Sequence, residues 1–563
     1  MRSDGKESAE GKHREERGKS ALLLRFSFCP RSFMGCPFAC ASSLNRYRQR
    51  NSTSKKTSIF KNKTIKTNKA AVLSKKNAAV FLTNKKTERR KPKLLKKVLK
   101  NFKTAFIGDK AFYRRVLFLA VPMILQNAVT SFVSFLDNIM VGQIGTEQMS
   151  GVAIVNQLLF VFNIAVFGGV SGAGIFGTQF FGKGDYKGQK YAFRFKMFAV
   201  LLISAIAFLL FGVWGENLIS LYLSDSGTVG DITLALKYGE DYLLIMMASL
   251  VPFAVCQAYS NTIRETGQTL VPMLASVAAV AVNLILDFIL IFGIKGIIPA
   301  MGVQGAAIAT VAARIIECVI VVMWTHIRSE KNPYIKGAYK GFGIPKNICI
   351  SILKKGTPLM INEFLWAAGM AVIVQCYAVR GLEVVAALNI STTITNLFNI
   401  VYIQLGASIA VIVGQSLGAG MLSGAKDQAR KMVFFSVVCC ILFAGIMAAA
   451  GGFFPSIYKT DESIRSLAKT FIFISARAMP LCAFSHCAYF TLRSGGRTVI
   501  TFLFDSVYTW VLLIPFAFVL SNFTPLPVET VFFMVQFAET VKVIIGSVML
   551  KSGVWLQNIV ADN

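Results

Sequence analysis

Residues 162–190 read FNIAVFGGVSGAGIFGTQFFGKGDYKGQK, and residues 398–426 read FNIVYIQLGASIAVIVGQSLGAGMLSGAK. Laid one on the other, Phe162-Asn163-Ile164 falls on Phe398-Asn399-Ile400, a shift of 236 residues. At the same shift Gln179, Gly182, Gly184, Gly188 and Lys190 fall on Gln415, Gly418, Gly420, Gly424 and Lys426. It also carries Pro122 to Pro358, Gly145 to Gly381 and Glu147 to Glu383. Further on the shift becomes 229, and Arg264, Gly267, Thr269 and Leu274 meet Arg493, Gly496, Thr498 and Leu503. Leu, Ile and Val coincide by chance in apolar helices. Matches of Pro, Gly, Gln, Asn and Arg do not, so the chain is a duplication.

Around these stretches the sequence is built for lipid. The chain has 563 residues, is 54% apolar and 16% charged, and has a mean hydropathy of +0.57. A soluble chain carries roughly 25% charged residues. From Phe112 onward, apolar runs of about 20 to 30 residues alternate with short polar loops, the length a helix needs to cross hydrocarbon. The expected spans are 116–141, 150–180, 194–214, 241–262, 269–293, 302–326, 348–377, 386–416, 432–454, 467–491, 499–521 and 527–550. The predicted class is therefore an all-α membrane protein of about twelve transmembrane helices. Six spans per half is an even number, so both halves enter from one side. That makes a parallel repeat of two pseudo-symmetric six-helix bundles around a central cavity.

Alternate loops are basic: Lys183, Lys187, Lys190, Arg194 and Lys196; Arg328, Lys331, Lys336, Lys340 and Lys346; Lys426, Arg430 and Lys431; Arg493 and Arg497. The loop with Glu216, Asp225, Asp231, Glu240 and Asp241 is acidic. By the positive-inside rule both termini are expected in the cytoplasm of a cell that carries the chain in its plasma or inner membrane. Residues 1–107 read as a basic, disordered extension, or as sequence upstream of the true start. Up to Lys100 they hold about 28 of the 60 basic residues and about 6 acidic ones, with no sustained apolar period. The bundles are expected at 108–340 and 341–563.

Several chemistries are excluded. Most of the eleven cysteines lie in apolar runs as small hydrophobes, and there are three histidines in all, so a zinc site is not expected. No Walker-type glycine loop is present, so ATP is not the expected energy source and no cofactor is expected. An intramembrane enzyme would need facing catalytic aspartates or a His-rich cluster, and the duplication argues against one.

Ionisable groups at membrane depth are costly and are functional candidates by default. Asp287 lies deep in the fifth span, and Asn283 precedes it by four residues on the same helix face. Asp137 lies near the outer end of the first span, and Thr310 adds a hydroxyl on the sixth. Two carboxylates, an amide oxygen and a hydroxyl make a hard-oxygen cage for a monovalent cation. Two carboxylates sharing a site also permit proton coupling, since both cannot stay ionised without a counter-charge. Glu363, on the seventh span, stands where the first half has Asn127. Arg314 and Glu317 are read as a self-neutralising pair on one helix face.

From about Gly108 to Ser552 the chain resembles the MATE (multidrug and toxic compound extrusion) transporters of bacterial type. The likeness rests on Pro122, Gln126 and Asn127, FLDNIMVGQIG from Phe135, IRETGQT from Ile263, Asn283 with Asp287, GVQGAAIAT from Gly302, TPLMINEFLW from Thr357 and LRSGGRT from Leu492. It implies a secondary antiporter that exports organic cations, drugs or toxic metabolites in exchange for Na⁺ or H⁺. Residue for residue it also implies that Asp137, Asn283, Asp287 and Thr310 form the cation or proton site. In some members a carboxylate at the position of Glu363 joins acidic residues of the tenth span in a second cation site. Here the tenth span has no Asp or Glu, only Ser475, Arg477, Ser485 and His486, so Glu363 is expected to act alone, pair with Arg477 or touch substrate. Expected partners are small cationic molecules and membrane lipid, without nucleic acid, and the chain is expected to be a monomer. The alternative is a flippase of lipid-linked or polysaccharide precursors, which would favour a basic central cavity.

Overall fold

The computed structural model describes residues 100–225, 231–341 and 343–561. The expected extension falls outside them except for 100–107. Of these, residues 100–106 are helical rather than disordered, because Phe102 and Phe106 pack on Phe434 and the Arg430 guanidinium donates to the Ala105 carbonyl at 2.6 Å.

Twelve helices among the described residues are long and apolar enough to cross a membrane. They are α1 (Lys110–Gly142), α2 (Thr146–Lys183), α3 (Tyr186–Asp225), α4 (Ile232–Glu265), α5 (Leu270–Phe292), α6 (Gly302–Ile327), α7 (Lys346–Ala378), α8 (Leu382–Gly418), α9 (Leu422–Gly451), α10 (Glu462–Ser494), α11 (Thr498–Phe523) and α12 (Val528–Ser552). Hydrocarbon offers no partner to backbone polar groups, so helices are the form such segments take. No β-strand forms among the described residues, only an isolated bridge between Ile294 and Ile298. Helices α3 and α9 begin about eight to ten residues before the hydropathy predicts. Their basic first turns, with Lys187, Lys190 and Arg194 in α3 and Lys426, Arg430 and Lys431 in α9, continue the helix beyond the apolar run.

The two halves repeat each other's packing. In the first, α1 lies on α5, α2 on α3 and α4, and α4 on α6; in the second, α7 lies on α11, α8 on α9 and α10, and α10 on α12. The halves meet symmetrically too, α2 against α7 and α8, and α8 against α1 and α2. The sequence repeat shows why they come so close. A Cβ on Gly182 would stand 2.0 Å from the Gln415 carbonyl oxygen, and one on Gly418 would stand 1.9 Å from that of Gln179. Gln415 Nε2 donates to the Glu265 carbonyl at 2.7 Å, and Gln179 Nε2 donates to the Ser494 carbonyl at 2.9 Å. Just beyond the crossing, Gly184 (φ 79°) and Gly420 (φ 75°) take the left-handed conformation that ends each helix.

The C-terminal segment covers this end. Trp555 is buried, Asn558 donates to the Gly418 carbonyl at 3.2 Å, and the Ile559 amide donates to Gln179 Oε1 at 2.9 Å. Gly418→Ala is expected to destabilise the closed arrangement by about 1–3 kcal/mol, because a helix must move to admit the methyl group. Thermal unfolding of the purified variant should show a lower midpoint; an unchanged midpoint with unchanged export would show that the crossing is not tight.

Candidate functional site

Five helices of the first half, α1, α2, α4, α5 and α6, enclose a cavity of about 350 Å³. Asp137 enters it from the last turns of α1, Tyr242 from α4, Asn283 and Asp287 from α5, and Thr310, Arg314 and Glu317 from α6. All four residues of the expected cage thus face one space. Their register explains it. Asn283 and Asp287 are one turn apart, as are Thr310 and Arg314, so each helix presents its polar groups along one inward stripe.

Asp287 is 1% exposed and Asn283 6%. The Asp137 and Asp287 carboxyls interact directly, and Tyr242 interacts with Thr310 beside them. Asp137 Oδ1, Asp287 Oδ2 and Asn283 Nδ2 are buried without a hydrogen-bond partner. Two carboxylates held together away from bulk water repel each other and attract a compensating positive charge. The donor set of carboxylate, amide and hydroxyl oxygens suits Na⁺ or a proton. The nearest fixed positive charge is Arg314, which lies within electrostatic range of Asp137 and 3.6 Å from Glu317, the pairing expected from sequence. Glu317 also accepts from the Ser276 hydroxyl.

A second cavity, of about 450 Å³, lies between the halves. Gln126, Asn163, Asn261, Arg264, Glu265, Arg314 and Glu317 line it from the first half, and Gln404, Phe490 and Arg493 from the second. Asn163 and Glu317 face both cavities, so the two are neighbours. Arg264 Nη2 donates to Gln126 Oε1 at 2.9 Å, while its Nε is buried without a partner. Phe160 lines the first-half cavity, whereas Tyr402 is buried against His486.

Glu363 joins neither cavity. It lies 3.6 Å from Arg493 Nη1 and accepts from the Tyr489 hydroxyl at 3.1 Å. Arg477, one of the three possibilities the sequence left for Glu363, is on the exposed side of α10. The α10 residue that reaches Glu363 is four and a half turns further along, where the chain had been read as a basic loop. Arg264 and Arg493 both line the central cavity, so basic groups face it as well as acidic ones. Asp505 is half-buried on α11, 2.9 Å from Lys542.

Sequence reasoning missed Tyr242, the Lys196–Glu265 ion pair at 2.5 Å, and Lys542. The repeat held one usable signal. Gln126 stands at the place of Asn362 and Ser276 at that of Asp505, and both pairs bond: Gln126 to Ser276 at 2.6 Å, Asn362 to Asp505 at 3.1 Å.

A family model described as MatE matches residues 122–289 and 358–519, more than half of the chain. Its two matches begin at the paired prolines of the repeat. The chain is 23% identical over 415 residues to "Probable multidrug resistance protein NorM" of Thermotoga maritima, covering 73% of this chain and 86% of that protein. It is 25% identical over 404 residues to the protein of the same description from Neisseria meningitidis serogroup B, covering 70% and 83%. Among solved structures it is similar to an outward-facing multidrug resistance MATE family transporter of the MOP superfamily. The TM-score is 0.71 at 16% identity, over 79% of this chain and 97% of that one.

Proposed function

The chain belongs to the MatE family, and from that premise we propose that it is a secondary multidrug exporter, driven by Na⁺ or H⁺ entering through the first-half cavity. The observation that carries this reading is the meeting of Asp137 and Asp287 in one cavity with buried, unpartnered carboxylate oxygens. Asp137, Asn283, Asp287 and Thr310 are proposed as the coupling site. Bound positive charge stabilises the pair, and its release lets the bundles rock to the other side. The proposed substrates are organic cations that enter the cavity between the halves. The termini are proposed to be cytoplasmic, on the face that carries the basic loops.

A second reading has its own support. Arg264 and Arg493 face the central cavity, and Arg264 has a free Nε. Guanidinium groups there favour substrates with a carboxylate or phosphate, as a flippase of lipid-linked precursors would carry.

One assay separates these. Purified protein in vesicles is given a Na⁺ gradient, a proton gradient or neither, with a cationic or an anionic fluorescent substrate. Cation export that needs one gradient supports the first reading; transport of only the anion supports the second, and transport indifferent to both gradients removes the coupling site. Glu363→Gln should lower the export rate several-fold while keeping gradient dependence, because it frees Arg493 in the cavity wall without touching the Asp137–Asp287 pair. Loss of gradient dependence in that variant would move the coupling site to the second half.

A further inference from the structure

The two halves share a fold but not an electrostatic design. In the first, Asp137 and Asp287 keep buried carboxylate oxygens without a hydrogen-bond partner. In the second, the place of Asp137 at the 236-residue shift is taken by Ile373. The second half instead holds a cluster on α7, α11 and α12. Lys542 Nζ lies 2.9 Å from Asp505 Oδ1 and 3.6 Å from Glu539 Oε1. The Phe504 and Tyr508 rings flank the ammonium at 5.5 and 5.6 Å. Lys542 is 6% exposed. Asp505 is presented to it by the π-helical turns of α11, and its other oxygen accepts from Asn362, itself fixed by the Ser506 hydroxyl at 2.7 Å. In the first half the place of Asp505 is Ser276, which turns to an acid, Glu317. The polarity at the far helix is therefore reversed between the repeats: an acid on α6, a base on α12.

We propose that Lys542 is a tethered cation that permanently fills a monovalent-cation seat between Asp505 and Glu539. Two carboxylate oxygens and two aromatic faces give the ammonium what a free monovalent cation would need in the same place. With the seat filled by a side chain, the second half needs no ion from solution, and cation traffic is confined to Asp137 and Asp287. This last consequence rests on the coupling site proposed above; the seat itself does not.

The test reads binding rather than transport, in the full-length chain with Asp287→Asn so that the first-half site is silent. Saturable binding of ²²Na⁺ and ⁸⁶Rb⁺ to purified protein is measured. The Asp287→Asn chain should bind neither ion. Adding Lys542→Ala should create about one site per chain, and further adding Asp505→Asn should remove it. Since Lys542→Ala leaves two half-buried carboxylates without their counter-charge, its folding is measured alongside. Folded yield and thermal midpoint should recover with Na⁺, Rb⁺ or propylammonium but not with choline at equal ionic strength. No gained site in the folded variant, a gained site that survives Asp505→Asn, or a folding defect that no small cation rescues would each overturn the tethered-cation assignment. If instead the wild-type chain binds Na⁺ and its Asp287→Asn variant binds it equally well while Lys542→Ala gains a further site, the seat stands and the first-half coupling site falls.

Discussion

Asp287→Asn is expected to abolish gradient-driven export while leaving the folded chain intact. The substitution keeps the shape of the side chain and removes its charge from a position that is 1% exposed. Asp287 and Asp137 face one cavity and interact, and Asp287 lies within electrostatic range of the Asp137 carboxylate. At about 4 Å and an effective dielectric constant of about 20, a unit charge contributes on the order of 4 kcal/mol to a bound cation. Losing it lowers cation affinity roughly a thousandfold. Fold stability should hold or rise, because the repulsion between the two carboxylates goes with the charge. Purified protein in vesicles, with a fluorescent cation and the driving gradient fixed by the wild type, measures the effect. Export at the wild-type rate would remove the first half from the coupling mechanism. Asp137→Asn should weaken export in the same direction but less, since Asp137 lies nearer the end of α1.

Much of this architecture was legible because lipid imposes it. A span must be apolar over about 20 residues and helical throughout, so hydropathy alone locates α5 to within one residue at each end, and α6 and α11 to within two. The pairing of Asn283 with Asp287 was legible because a helix fixes which residues share a face. Partners contributed by different helices were not legible. Glu363 meets Arg493 rather than Arg477 because the orientation of α10 against α7 depends on packing across the bundle, which no local period records. Lys196 was counted with the basic loop because it stands at the very start of the third apolar run, although the helix begins ten residues before it at Tyr186. Lys542 passed unnoticed because it shares its span with Glu529 and Glu539, and the apolar residues around them still hold up the average that defines a span. The repeat was the unused lever. Ser276 aligned with Asp505 shows that a carboxylate was placed in the second half where the first has none, and a buried carboxylate demands a partner.

The second large effect concerns the Lys196–Glu265 pair, which lies beneath the central cavity. Lys196 is fully buried, its ammonium 2.5 Å from Glu265 Oε1 and 3.0 Å from the Thr262 hydroxyl. Glu265 Oε2 has no hydrogen-bond partner and lies against α2, where a Cβ on Gly177 would stand 2.2 Å from it. Glycine at 177 is therefore what lets α2 approach the carboxylate, and the carboxylate depends on Lys196 for its neutralising charge. Breaking such a pair leaves one ion in a dry interior and costs about 3–5 kcal/mol, whereas replacing both partners by neutral groups is often nearly free. Lys196→Met should thus lower the thermal midpoint of the purified chain sharply. Adding Glu265→Gln should restore most of the loss, because no charge is then left without a partner. The double-mutant cycle carries the test: a coupling energy near zero, with the two single losses simply adding, would mean that the two groups do not depend on each other. Recovery of the midpoint in the double variant would show that the ion pair is held for reasons other than stability, since a neutral pair would hold the fold as well.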